Sequence, residues 1–139
     1  MRFTRILAGI ALCGALSTAP LVAQEGNVVA TGTFHGDAHH TMGRATVYQT
    51  EKGEVLRLTH FKTTDGPKLH VLLIAADDAK DNLNIFGEKI DKVDLGPLRG
   101  TEGDQNYDVP AGTDLSKYKT VAIFCERFLV TFGAAPLQK

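Results

Sequence analysis

Short segments in which apolar and polar residues alternate dominate the chain from residue 28 onwards. This period of two is typical of β-strands that place one face in a core and the other in water. The run at 69–76, LHVLLIAA, is apolar almost throughout and predicts a central strand covered on both faces. The pattern predicts strands at 28–34, 44–50, 55–61, 69–76, 93–98 and 105–109, followed by a C-terminal hairpin.

Turn-forming residues separate these strands, as at Asp65-Gly66-Pro67, where glycine tolerates positive φ and proline fixes the next residue. The polar segment 77–92 is predicted to begin with a short helical turn, and 114–118 to form a one-turn helix capped by Thr113 or Asp114. No long amphipathic helix is apparent. We therefore predict an all-β fold, an antiparallel β-sandwich or partly open barrel of about 7–9 short strands.

The C-terminal region 119–135, KTVAIFCERFLVTFGAA, predicts a hairpin with a thiol near its turn. Ile123 and Cys125 fall on one face of the first strand, and Phe128 is predicted to begin the same pattern on the second. In a regular strand Arg127 would point to the same side as Cys125 and favour its thiolate form.

The N-terminus has the features of an export signal. Arginines precede a short apolar run at 6–16, and small residues lead to a cleavage site after Ala23. The run is too short to span a bilayer, which takes about 20 residues. We predict a signal peptide at 1–23 and a domain at 24–139 that is exported to the periplasm or secreted, with no membrane span in the mature chain. An uncleaved anchor is the alternative. Cys13 follows a leucine, which disfavours lipid attachment.

Composition limits the function classes. The chain has 139 residues, 43% of them hydrophobic, which suffices for the core of one small domain. Its net charge is -1, and removing the two arginines of the signal leaves 13 basic against 16 acidic residues. A nucleic-acid partner is not expected, because such proteins carry a basic stripe.

Export changes the meaning of Cys125, the one cysteine outside the predicted signal. In an oxidising compartment an unpaired cysteine indicates a free reactive thiol, an intermolecular bridge or a ligand. A buried inert thiol that only fills space is the alternative.

The order of small motifs along the domain resembles the DM13 family. The motifs are Gly32-x-Phe34, His39-His40-x-x-Gly43-x-Ala45, Leu56-x-Leu58-x-x-Phe61, Asp65-Gly66-Pro67-x-Leu69-x-Val71-x-Leu73, Gly100-x-x-Gly103-x-Gln105-x-Tyr107, Asp114-Leu115-x-x-Tyr118-x-x-Val121-x-Ile123-x-Cys125 and Phe128-x-Val130-x-Phe132-Gly133-x-Ala135. The resemblance implies an exported β-sandwich-like module that transfers electrons through Cys125, as a bare thiol or as a ligand to a prosthetic group such as haem. Phe124 departs from the expected Trp, and His60 from a small polar residue.

The histidines offer further ligands. His39 and His40 lie near Met42 between the first two predicted strands, and imidazole and thioether groups can bind copper. A solvated polar loop is the alternative. His70 shares a strand face with Leu72 and is predicted to be a core histidine.

Several cofactor and enzyme classes are disfavoured. No His and Met follow Cys125 closely, which argues against a blue-copper site, and one thiolate argues against a four-ligand structural zinc site. The absence of Cys-x-x-Cys-His excludes c-type haem attachment. Hydrolase motifs are also missing.

The sequence thus predicts an exported redox module with Cys125 as the reactive or ligating atom and His39 and His40 as its companions. Haem or copper are possible cofactors, and a redox partner protein or small molecule is the expected partner. The alternatives are a non-catalytic binding module with a buried structural cysteine, and a His/Met copper-binding protein.

Overall fold

The computed structural model describes residues 26–36 and 39–139, together with the isolated Gly14. Apart from Gly14, the predicted signal peptide, including Cys13, lies outside the described residues. The alternating segments form eight strands that build two antiparallel sheets. The strands are β1 (Asn27–Thr33), β2 (Met42–Thr50), β3 (Gly53–Lys62), β4 (Leu69–Ile74), β5 (Lys92–Pro97), β6 (Gln105–Asp108), β7 (Thr120–Cys125) and β8 (Val130–Pro136).

One sheet has the strand order β1-β2-β3-β6 and the other β5-β4-β7-β8. The two sheets do not close into a barrel. The predicted all-β fold is therefore confirmed, and of its two predicted forms the structure has the sandwich. Every consecutive pair of strands runs in opposite directions along the sandwich. The β1–β2, β3–β4, β5–β6 and β7–β8 connections therefore lie at one end, which we call the cysteine end because β7 terminates there at Cys125.

The first sheet buries one face, as its alternation predicts. Leu56 and Leu58 of β3 are fully buried, whereas Arg57 between them is only partly covered. The core between the sheets also receives Val71 and Ile123 from the second sheet. Apolar side chains from both sheets thus meet in a single layer, which supplies most of the favourable burial energy of such a fold.

The second sheet is covered on both faces, as predicted for its central strand. Every residue of β7 is buried, and so are all residues of β4 except His70. The outer face carries Leu72 and Phe124, which pack with Ile85 of the segment between β4 and β5. A nearly continuous apolar run is therefore required in β4 and β7, because neither face meets water.

The predicted helical turns are not helices. None of the described residues forms a helix, so none forms one that could cross a membrane. The segment between β4 and β5 consists of turns and irregular backbone. At 114–118 the carbonyl of Asp114 accepts hydrogen bonds from the amides of Lys117 and Tyr118, so a hydrogen-bonded turn replaces the helix. The carboxylate of Asp114 accepts a further bond from the Ser116 amide, which lowers the pKa of that carboxyl.

Candidate functional site at the cysteine end

Cys125 occupies the last position of β7, opposite Leu69 of β4 and Val130 of β8. The predicted hairpin and the position of the thiol near its turn are therefore confirmed. By strand alternation the side chain points between the two sheets, where it joins the main core and is 0% exposed. The thiol is free. Its sulfur donates a hydrogen bond of 3.0 Å to the backbone carbonyl of Pro67.

The β3–β4 connection covers the sulfur. Pro67 belongs to this connection, in which Asp65 and Lys68 are exposed. The Asp65 carboxylate accepts a 2.9 Å bond from the Gly66 amide, and Lys68 adopts a positive φ of 52°. One layer of loop backbone thus separates the thiol from the surface at this point.

Phe132 of β8 supports the same connection from inside. Its ring is 3% exposed and belongs to the core that contains Cys125. A Cβ atom on Gly66 would lie 2.8 Å from two carbons of this ring, so the ring packs directly on the glycine backbone. Only glycine fits here without a shift of the ring.

His39, in the β1–β2 connection, also packs on Phe132. Its imidazole stacks on the Phe132 ring with centroids 3.9 Å apart and the planes 6° from parallel. The hydroxyl of Thr41 lies 3.1 Å from the carbonyl oxygens of both His39 and Phe132, and 2.8 Å from the hydroxyl of Thr63. The β1–β2 connection, the β3–β4 connection and β8 are therefore joined through one buried hydroxyl.

The predicted companions of Cys125 lie at the same end of the sandwich. His39 is half-buried against Phe132, and His40 and Met42 are exposed. Neither histidine belongs, with Cys125, to a compact group of three or more metal-ligating His, Cys, Asp or Glu side chains within residues 26–36 and 39–139. Whether they act with Cys125 or bind copper stays a prediction.

Two details of the hairpin prediction are wrong, and so is the prediction for His70. The turn 126–129 separates the strands, so Phe128 is 61% exposed in the turn and does not belong to β8. Arg127 is also in the turn, beyond the last residue of β7, so strand alternation does not place it beside the thiol. His70 lies on the predicted face with Leu72, but it is a partly exposed strand-end residue that bonds to Asp94, not a core histidine.

A group of three polar side chains at this end was not predicted from the sequence. The Nδ1 atom of His70 lies 3.0 Å from a carboxylate oxygen of Asp94, within hydrogen-bond distance, and Glu126 lies 3.6 Å from the same ring nitrogen. Glu126 directly follows Cys125, which was the only sign of this group in the sequence. His70 and Asp94 are 24 positions apart, so their spacing did not indicate a contact. The strand order β5-β4-β7 brings these residues together.

Comparisons with known proteins give one match for this chain. No curated protein and no solved structure matches the chain significantly. One family model does match, over residues 33–137, and it is described as "Electron transfer DM13". The matched region extends from the end of β1 through all the other strands and contains Cys125, His39 and His40. Since the match covers most of the chain, the protein belongs to the DM13 family.

Proposed function

We propose that this DM13 domain transfers electrons at its cysteine end, with the sulfur of Cys125 as the redox-active atom. The family description supports electron transfer. The observation that carries the assignment to Cys125 is its hydrogen bond to the Pro67 carbonyl, which lies in a connection flanked by exposed residues. A thiol under a single surface connection becomes accessible by local opening, without unfolding of the sandwich.

The bare thiol can carry electrons by exchange with a disulfide of a partner protein or small molecule. Cys125 loses its proton to water, and its sulfur attacks one sulfur of the disulfide. The disulfide bond breaks, and the second sulfur leaves as a thiolate that takes up a proton. Cys125 is oxidised to a mixed disulfide, and the partner's leaving sulfur is reduced.

A haem ligated by Cys125 does not fit this packing. An axial thiolate needs an open approach for the iron and an apolar pocket for the macrocycle. The sulfur is 0% exposed, and its neighbours Leu69 and Phe132 are themselves buried at 6% and 3% exposure. The bare thiol is therefore the form that we propose.

Replacing Pro67 with glycine is expected to speed the reaction of Cys125 with an aromatic disulfide reagent roughly fivefold. The change frees the backbone of the covering connection and favours its open form by about 1 kcal/mol. The measurement is the rate of thiolate release from the folded protein at low urea concentrations. Pro110→Gly is the matched control, because Pro110 follows β6 in the β6–β7 connection at the opposite end of the sandwich.

The competing function is a binding module in which Cys125 only fills the core. Its complete burial favours this function, as does the exposed apolar pair Phe128 and Leu129 in the neighbouring turn, at 61% and 44% exposure. A binding module predicts equal rates for both proline variants, and a thiol that reacts only at the rate of global unfolding. That result would contradict redox use of Cys125.

A copper site at His39, His40 and Met42 is a separate proposal, supported by their closeness in the chain. Unchanged Cu²⁺ binding in both His39→Ala and His40→Ala would remove it.

We also propose that the domain is exported and that residues 1–23 are removed, on the basis of the N-terminal sequence pattern. Expression in a host with a secretory pathway should give a mature protein that begins at Gln24. Intact-mass measurement of the exported fraction checks this. A protein that retains the full N-terminus would contradict cleavage.

A further inference from the structure

A compact group of possible metal ligands lies on the outer face of the second sheet. The Nδ1 atom of His70 is 3.0 Å from both carboxylate oxygens of Asp94 and 3.6 Å from Oε1 of Glu126. One ligand atom from each residue lies within 4.8 Å of the others. Within the described part of the chain, no other group of three or more His, Cys, Asp or Glu side chains meets this condition.

The fold brings these three side chains together from two adjacent strands and from the turn that follows a third. His70 is in β4, Asp94 is in the neighbouring β5, and Glu126 directly follows β7 on the other side. A register shift in the β4–β5 pairing sets Asp94 opposite Leu72. The carboxylate of Asp94 is fixed by a 2.8 Å bond from the Gly96 amide.

Main-chain contacts also position the other two residues. The Glu126 amide donates a 3.1 Å bond to the carbonyl of Lys68, two residues before His70. His70 alternates with Leu69 and Val71, which point into the main core, so its ring faces outward and its side chain is 19% exposed. The ligands are therefore partly ordered before any ion arrives, which lowers the entropic cost of binding one.

We propose that His70, Asp94 and Glu126 bind a divalent transition-metal ion such as Zn²⁺. One imidazole nitrogen and two carboxylates are suitable ligands for zinc, and three protein ligands leave a position for water or a further ligand. The two carboxylates carry two negative charges at close range, and a divalent cation removes their repulsion. Such a site differs from a closed structural site with four nitrogen or sulfur ligands.

The site is independent of the proposed role of Cys125. Cys125 belongs to the core between the sheets, whereas Phe124 before it packs on the outer face. Glu126, which directly follows β7, lies 3.6 Å from the Nδ1 atom of the outward-facing His70. Metal binding and thiol chemistry therefore use opposite faces of the same sheet end, and either proposal can fail without the other.

Isothermal titration of the full chain with Zn²⁺ is the test. We expect one bound ion, with affinity at least about tenfold weaker in His70→Ala and in Glu126→Gln, since even indirect ligand contacts change affinity by that factor. His60→Asn is the control, because His60 is an exposed histidine at the same end and asparagine tolerates its φ of 50°. This control should bind like the unmodified protein.

Three results would overturn the assignment. The first is no Zn²⁺ binding by the unmodified protein, which would leave a bare histidine–carboxylate cluster. The second is unchanged affinity in both His70→Ala and Glu126→Gln. The third is loss of binding in Cys125→Ser, which would put the thiol among the ligands. Glu126→Gln keeps the size of a side chain outside the strands, so its result remains informative if His70→Ala folds poorly.

Discussion

Phe132→Ala is expected to lower the free energy of unfolding by about 3–5 kcal/mol, the range for removing a buried aromatic ring. The ring is 3% exposed and fills the core beside the β3–β4 connection. Its removal leaves the Gly66 backbone and the His39 imidazole without the surface on which they pack. Since small domains have only about 5–15 kcal/mol of stability, this loss is a large fraction of the total.

The same substitution should expose the thiol. The Phe132 ring supports the connection whose Pro67 carbonyl covers Cys125, so its loss favours the open form. Urea denaturation gives the free energy, and the rate of reaction with an aromatic disulfide gives the accessibility. Phe132→Leu keeps apolar contact and should lose less on both measures, which makes it useful if Phe132→Ala does not fold.

Phe128→Ala is the matched control, because Phe128 is the same residue type, four positions away and 61% exposed. Its effect on stability should stay within about 0.5 kcal/mol, as for most surface substitutions. Equal losses in Phe128→Ala and Phe132→Ala would contradict the placement of the core. A destabilised Phe132→Ala whose thiol reacts no faster would contradict the role of this ring in covering Cys125.

Much of the fold could be predicted because the sequence contains two distinct patterns of apolar residues. Alternation in β3 specifies a one-sided strand, and the continuous apolar run of β4 specifies a strand covered on both faces. The position of Cys125 on the core face of β7 follows from the same alternation. The depth of the sulfur does not, because it depends on a connection 58 positions earlier in the chain.

The predictions for Phe128 and His70 were wrong because both residues lie in or near the ends of strands, where the alternating pattern no longer determines burial. Phe128 continues the apolar alternation, but the turn 126–129 interrupts the strand, so the ring points to solvent. His70 fits the alternation of β4 as a core residue, yet its position at the strand end leaves it uncovered and beside Asp94. Contacts between strands that are distant in sequence decide such positions, and a single sequence does not report them.

The position of His39 and His40 at the cysteine end could be inferred from the sequence, but their contacts could not. His39 and His40 lie at the cysteine end because the β1–β2 connection is there. The stacking of His39 on Phe132 is a tertiary contact with no counterpart in the spacing of the motif. Proximity of loops could be inferred from antiparallel order, but the contact partner of each ring could not.

The most direct test of the central claim is reversible glutathionylation of the folded protein. Incubated with mixtures of oxidised and reduced glutathione, the native protein should gain one glutathionyl group by intact mass and lose it as the mixture becomes reducing. Cys125→Ser, checked for the same circular dichroism spectrum, should gain none. If the folded protein stays unmodified while the urea-unfolded protein is modified, Cys125 is a core residue and does not carry electrons.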